Sequence, residues 1–282
     1  APLDVGLFGP DSVTWQLHAD PAMVIAGFTS LFLEALHPRA VAAIVQNSNF
    51  RSDPLGRLFR TADYVALTTY GTSHQARQAG ATVRSIHRRL RATDPRTGRG
   101  FRIDEPDLLL WVHCAEVSSF LDVTRRAGFP LTDRQADRYL AEQRRGAALV
   151  GLHEDEVPGS RAELAAYFAA VQSTLRRTDD AEEIFRFLRW MPVPARYQPL
   201  MPAYSVFVAH LAYSLLPDWA IDLFGREPYP SGGATMLVRT LRSGALAVPR
   251  WVRRLAPKNH LGQAIERLGP DAAPSPARLP PG

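Results

Sequence analysis

Two histidines stand in segments whose apolar residues recur at helical spacing. His87 follows Val83 and Ile86 and precedes Leu90, which places it on the apolar face of a predicted helix. His113 lies within the apolar run of a second predicted helix. A neutral imidazole that faces the interior can bind a haem iron through one ring nitrogen while the other donates a hydrogen bond. The same placement suits a hydrogen-bonded core histidine, so spacing alone leaves both interpretations open.

Cationic and hydroxyl side chains occur near the first histidine. Arg57, Arg60 and Thr61 are separated by one helical turn or less, so they can share one side of a predicted helix. Such a group can donate hydrogen bonds to bound oxygen or to a cofactor carboxylate, whereas the two arginines can equally pair with acidic side chains. The cations that flank His87, and that could reach cofactor carboxylates, are Arg84, Arg88 and Arg91.

The elements that would position these residues are helices, and the sequence predicts an all-α fold. Signals for helix starts and ends are Asp20-Pro21, Asp104 with Pro106, Gly128, Thr132-x-x-Gln135 and Ser160-x-x-Glu163. Turn-forming residues predict exposed loops over 92–100 and 225–233, and no alternating strand pattern of useful length occurs. The predicted organisation is an N-terminal arm over 1–12, one helical domain over 13–268 that ends in Arg-rich helices, and a flexible tail over 269–282.

Several of these segments resemble a known family in their order and spacing. The matching pieces are Leu36-His37-Pro38-Arg39, Arg57-x-x-Arg60-Thr61, Tyr70-Gly71-Thr72, Val83-x-x-Ile86-His87 and Asp107-Leu-Leu-Leu-Trp111-Val112-His113. Together they resemble the MpaB and latex-clearing-protein family of haem-dependent oxygenases, over roughly residues 13–190. The resemblance implies a globin-like helical core, one b-type haem, and oxygen chemistry on apolar, often isoprenoid, substrates.

The resemblance also implies roles for individual residues. His87, which lies 27 positions after Arg60, is expected to hold the iron, with His113 as the alternative. The helix of Arg57, Arg60 and Thr61 is expected to supply the opposite, distal side of the haem, and Arg84, Arg88 and Arg91 could reach its propionates.

The sequence departs from the latex-clearing pattern at two places. The position matched by Arg60 is a lysine in that branch, and an arginine cannot bind iron because its guanidinium stays protonated. That branch also uses a glutamate base near the iron. Upstream of Arg57 only Glu34 and Asp53 are available, and neither stands at a matching position.

Composition bounds the remaining functions. The chain has 282 residues, of which 46% are hydrophobic and 22% charged, which suits one globular domain. The net charge of +5 comes from arginines spread along helices, and without a nucleic-acid-binding motif we expect no nucleic-acid partner. The most apolar runs, 22–36 and 203–216, are interrupted by Glu34 and His210 and are too short to span a bilayer, so no transmembrane segment is expected.

The single cysteine, Cys114, cannot form a disulfide within the chain, and the histidines show no zinc-binding spacing. A thiol kept reduced and the absence of a leader-like start favour a cytoplasmic location. The sequence thus predicts a haem-b-dependent oxygenase or oxidase that uses O₂ or peroxide on an apolar or aromatic small molecule. The alternatives are a haem sensor or carrier without turnover, and a helical module that binds a lipid or a partner without haem. Oligomeric state is not defined by the sequence.

Overall fold

The computed structural model describes residues 3–248 and 259–281, and in these the predicted all-α class is confirmed. The first helices are α1 (Val13–Leu17), α2 (Met23–Glu34), α3 (Pro38–Asn47), α4 (Pro54–Tyr70), α5 (Ser73–Arg89) and α6 (Pro106–Arg126). The later helices are α7 (Asp133–Val150), α8 (Arg161–Val171), α9 (Asp179–Arg189), α10 (Met201–Tyr204), α11 (Leu211–Ser214), α12 (Asp218–Phe224), α13 (Ser231–Ala247) and α14 (His260–Leu268). A π-helical segment, Ser205–His210, joins α10 to α11. The predicted Arg-rich helical part over 249–258 lies outside the described residues.

Helices α2 and α6 form the centre of the fold. Phe32 on α2 and Trp111 on α6 are fully buried, and the Trp111 indole N–H donates to the Glu34 carbonyl at 3.1 Å. The Thr29 hydroxyl donates to the Ala212 carbonyl of α11 at 2.9 Å, which ties α11 to the same pair. The buried faces of α2 and α6 are apolar and include small residues such as Ala26 and Ala115. Core packing therefore fixes the position of one helix against the other.

Local capping explains most helix starts. The Asp53 carboxylate accepts from the backbone N–H of Gly56, and Thr72 and Thr132 each form a capping box with the glutamine three residues later. The predicted cap of α6 was one residue off, since Glu105 occupies that position without a side-chain bond, while Asp104 pairs with Arg102 at 2.6 Å.

The predicted loop over 92–100 lies within a short hairpin, and its first and last residues belong to the two strands. Strands β1 (Arg91–Thr93) and β2 (Gly100–Arg102) pair antiparallel, with Ala92 opposite Phe101. Both of these side chains are buried, and the Arg39 guanidinium lies 4.5 Å from the centre of the Phe101 ring. Three residues per strand are too few for an alternating pattern to be visible in the sequence.

The described terminal segments are attached to the helical body. In the predicted arm, the Asp4 carboxylate accepts from the Ser73 hydroxyl at 2.7 Å. In the predicted flexible tail, the Ala272 carbonyl accepts from the buried Trp15 indole N–H at 2.9 Å, and the Ser275 N–H donates to the Gln16 amide oxygen at 2.7 Å. The described part of the tail thus contacts α1, because its carbonyl and amide groups satisfy polar atoms of that helix.

Candidate functional site

Polar side chains from four helices face one another inside the fold, and we call this group the interior polar cluster. Its members are Glu34 on α2, Arg57 and Tyr64 on α4, His87 on α5, and His113 and Glu116 on α6. The charge of Arg57 acts on both Glu34 and His87, and the charge of Glu116 acts on both Glu34 and Tyr64, so these side chains lie within electrostatic reach of one another. His113 is 8% exposed and is included because it lies one helical turn before Glu116 on α6. That both histidines serve one site stays a prediction.

The two carboxyl groups of the cluster retain protons at unusually high pH. Burial, and then the neighbouring charge of Glu116, raise the pKa of Glu34 to about 8, while Arg57 and a hydrogen bond from Ser30 oppose that shift. Burial raises the pKa of Glu116 to about 7. Two carboxyls that cannot easily ionise together at neutral pH can hold and transfer a proton there.

Both histidines of the cluster are neutral and carry an unpaired nitrogen. Burial lowers the pKa of His113 to about 4, and burial, aided by the charge of Arg57, lowers that of His87 although Asp104 opposes it. The buried Nδ1 of His87 and Nε2 of His113 have no hydrogen-bond partner, and the same holds for Nδ1 of His210, which packs against Tyr229 outside the cluster. A buried polar atom without a partner is costly unless a ligand completes it, so these nitrogens fit an axial ligand to iron.

Tyr64 carries a third unsatisfied atom in this cluster. Its hydroxyl is buried without a hydrogen-bond partner, and burial together with the charge of Glu116 raises its pKa to about 12. The phenol therefore stays protonated and can donate one hydrogen bond to a ligand that enters the cluster.

The three residues predicted for the distal side of the haem do not lie together in the structure. Arg57 is half-buried in the cluster, and its guanidinium donates to the Thr61 hydroxyl, which in turn donates to the Arg57 carbonyl at 3.2 Å. Arg60 points outward with its side chain 56% exposed, and it binds the Asp53 carboxylate at 2.9 Å and the Asn49 amide oxygen at 3.0 Å. Arg57 and Thr61 thus accompany the cluster, and Arg60 is an exposed ion-paired residue.

The cations predicted to flank His87 also take different places. Arg84 is half-buried and donates to the Leu149 carbonyl, and its charge acts on Tyr64 of the cluster. Arg88 is exposed, and Arg91 lies on β1 with its guanidinium donating to the Arg88 carbonyl at 2.7 Å. Of these three arginines, only Arg84 lies within electrostatic reach of the cluster in the described structure.

Three cluster residues were missed by sequence reasoning, although two carried a signal. Glu34 was dismissed, yet it interrupts an apolar helix, which is where a charged residue is most often buried for a reason. Glu116 follows His113 by three positions on a helix and so shares its face. Tyr64 gave no signal, because an aromatic residue at helical spacing is ordinarily part of the core.

Two other residues with possible reactivity have structural roles. His18, which sequence reasoning left out, is bonded at both ring nitrogens, to the Thr69 hydroxyl at 2.8 Å and the Tyr139 hydroxyl at 3.0 Å. Burial lowers its pKa to about 3, so it is a neutral core residue. Cys114 is buried, and burial raises the pKa of its thiol to about 12, so it stays protonated and unreactive. Among residues 3–248 and 259–281, no group of three or more His, Cys, Asp or Glu side chains is arranged to hold a metal ion.

The fold and the cluster together define an all-α protein with a histidine-containing interior site. The family model described as "ER-bound oxygenase mpaB/B'/Rubber oxygenase, catalytic domain" matches residues 15–250, and the chain belongs to this family. The resemblance inferred from the motifs is therefore confirmed, and it extends beyond residue 190. Membership makes the chain an oxidoreductase of the oxygenase class. Comparison with curated proteins and with solved structures gave no significant match.

Proposed function

We propose that the chain is a haem-b-dependent oxygenase or oxidase that uses O₂ or peroxide to oxidise an apolar or aromatic small molecule. The observation that carries this proposal is the pair of neutral histidines, His87 and His113, whose buried ring nitrogens have no partner. Haem, when bound, supplies the redox-active iron at which O₂ or peroxide is activated. His87 is the proposed axial ligand, and His113 is the second candidate.

Arg57 would act on the oxidant through its charge. Its guanidinium remains protonated, and its half-buried position lets it donate hydrogen bonds to an oxygen atom on which negative charge grows. The hydrogen bond from Arg57 to Thr61, one turn further along α4, holds that guanidinium in position. This role was expected for Arg60, and we now assign it to Arg57 because Arg60 is paired with Asp53 at the surface.

Glu34 and Glu116 would manage protons in the same site. Oxygen activation and oxidation of a substrate both require protons to be delivered or removed at neutral pH. A carboxyl with a pKa near 7 or 8 serves this role better than an ordinary one, since both of its protonation states are populated. We propose that the two carboxyl groups share and exchange a proton beside Arg57.

The face of α2 that leads to Glu34 suits an apolar substrate. Val24, Gly27, Leu31 and Glu34 follow one another at three- and four-residue steps and so share one face of the helix. Val24 is 63% exposed, and a Cβ added at Gly27 would meet no atom within 4 Å. We infer that an apolar substrate approaches Glu34 along this face, because its outer end is exposed and its residues are small or aliphatic.

The test is the absorption spectrum of the purified protein, followed by turnover with oxidant. We expect an intense Soret band and consumption of O₂ or peroxide that depends on an apolar substrate. Haem binding without turnover would instead support the sensor or carrier alternative. A colourless protein that also fails to take up added haem would reject the proposal and favour a helical module that binds a lipid or a partner.

A further inference from the structure

A second surface of the molecule has a composition that the interior site does not explain. From residue 184 to residue 217 the chain contains no Asp or Glu, yet it contains three arginines and seven aromatic residues. Much of this stretch is exposed to solvent, although it is rich in apolar residues. Large apolar side chains exposed within it are Trp190 at 51%, Tyr197 at 37%, Leu200 at 63%, Val206 at 44% and Phe207 at 48%.

We call the exposed residues 190, 197, 200, 206 and 207 the apolar patch. Buried side chains of the same segment support it. Met191, Val193 and Met201 are buried under it and pack against Phe28 and Tyr204. Trp190 therefore faces solvent because the chain alternates between outward and inward side chains at this point. The apolar patch therefore lies over a buried apolar cluster of the fold.

The charges around the apolar patch are predominantly positive. Arg196 lies with its guanidinium 4.8 Å from the Tyr197 ring centre and has no acidic partner among the described residues. Arg186, with a side chain 71% exposed, lies 3.8 Å from Glu182, whose nearer partner is Arg226. Beside Trp190, a surface pocket of about 460 Å³ is lined by residues that include Phe50, Arg51, Glu183 and Arg186. Arg51 pairs with Glu183 there at 2.5 Å, so Arg186 and Arg196 are the arginines best placed to act on an anion.

We propose that this surface docks the protein onto a membrane that carries anionic lipids. Tryptophan and tyrosine prefer the boundary between lipid headgroups and acyl chains, and aliphatic side chains between them enter the acyl region. Surface arginines such as Arg186 and Arg196 attract anionic headgroups. A patch of this kind is uncommon on a surface that contacts only water.

The proposed mode is attachment to the surface rather than insertion of a helix. Within the described residues no single helix has the length and apolar character needed to cross a bilayer. The stretch Ala195–Ser214 with Asp218–Phe224 passes that test only as a pair bent by 117°, and many of its residues are buried inside the fold. Shallow entry of the apolar patch requires no change in the fold.

Vesicle sedimentation with the full chain tests this inference, independently of haem content. We expect binding to phosphatidylcholine vesicles that contain phosphatidylserine, weaker binding to phosphatidylcholine alone, and a decrease with added salt. The double variant Trp190→Ala/Phe207→Ser should reduce partitioning to anionic vesicles by roughly tenfold or more. The double variant Arg186→Gln/Arg196→Gln should reduce it by a similar factor.

Matched controls lie elsewhere on the surface. Met236 on α13 is 69% exposed and Arg134 on α7 is exposed. Met236→Ser and Arg134→Gln therefore remove one exposed apolar side chain and one exposed arginine outside the apolar patch, and they should leave binding unchanged. Equal loss in these controls, or no sedimentation with anionic vesicles, would overturn the inference. So would a concentration-dependent dimer abolished by Trp190→Ala/Phe207→Ser without vesicle binding, since the patch would then join two copies of the chain.

Discussion

Glu34 and Glu116 make the stability of the fold depend on pH. A glutamate in an unfolded chain has a pKa near 4.5, whereas Glu34 and Glu116 in the folded chain have values of about 8 and about 7. Between these limits the folded state binds more protons than the unfolded state. The free energy of unfolding contributed by these groups is therefore fully present below pH 4.5 and is lost as the pH rises through 7 and 8.

Replacing Glu34 by glutamine should remove much of this pH dependence. The neutral amide has a similar shape and avoids ionisation of a buried group, so Glu34→Gln should be more stable than the parent at pH 9 by on the order of 1–3 kcal/mol. At pH 5 the two proteins should differ little. Urea unfolding of the apo protein at both pH values measures this, with the exposed Glu154→Gln as control. Because buried neutral histidines such as His18 and His113 contribute the opposite trend below about pH 6.5, the decisive quantity is the difference between parent and variant. An equal difference in stability at pH 5 and pH 9 would contradict the assignment.

Arg57 and Arg60 provide a matched pair for the proposed chemistry. Both lie on α4, but Arg57 acts on Glu34 and His87 while Arg60 pairs with Asp53 at the surface. Arg57→Leu should lower turnover by about 100-fold or more, since one well-placed hydrogen-bond donor contributes about that factor. Arg60→Leu should lower it by less than about threefold. Steady-state rates per bound haem compare the two variants. A larger loss of turnover in Arg60→Leu than in Arg57→Leu would show that Arg60 is the residue that acts on the oxidant.

Two helical glycines differ in what surrounds them, and this governs how tightly the helices pack. A Cβ at Gly27 on α2 would meet nothing within 4 Å, whereas one at Gly80 on α5 would lie 2.6 Å from the Leu149 carbonyl oxygen of α7. The first glycine leaves open space beside α2. The second allows α5 and α7 to touch, and α5 carries His87.

Alanine at these positions should therefore act in opposite directions. Gly27→Ala should raise the free energy of unfolding by about 0.5–1 kcal/mol, because alanine restricts the unfolded chain and fits the helix. Gly80→Ala should lower it by about 1–3 kcal/mol, since the backbone of α7 must move away. Denaturant unfolding of both variants measures this. A stabilising Gly80→Ala would show that α5 and α7 are not in close contact.

Helices were predictable from the sequence where local chemistry determines them. The Thr132 and Gln135 capping box begins α7 as expected, because both partners lie within one turn. The hairpin around Phe101 was not predictable, since its three-residue strands depend on burial against the core and on the Arg39 contact. Local signals do not report such long-range contacts.

At the scale of the whole molecule, the sequence indicated which histidines face inward but not what surrounds them. Helical periodicity predicted that His87 and His113 face inward. His113 is buried, whereas His87 is half-buried and Ile86, predicted to share its inward face, is 46% exposed. The direction of Arg60 depends on where Asp53 and Asn49 lie in space. The attachment of the tail to Trp15 likewise joins residues far apart in the chain. Peripheral attachment to a membrane is compatible with the cytoplasmic location, which stays a prediction.

Titration of haem into the apo protein, followed by absorption, shows whether the chain binds haem through His87. We expect the parent to bind one haem per chain, and His87→Ala to lose most of this binding because the iron loses its axial nitrogen. His74→Ala, an exposed histidine on the same helix, should bind haem like the parent, and His113→Ala should retain much of the binding. Equal haem binding by the parent and His87→Ala, with loss in His113→Ala, would contradict the assignment of His87. Failure of the parent itself to bind haem would contradict the account as a whole.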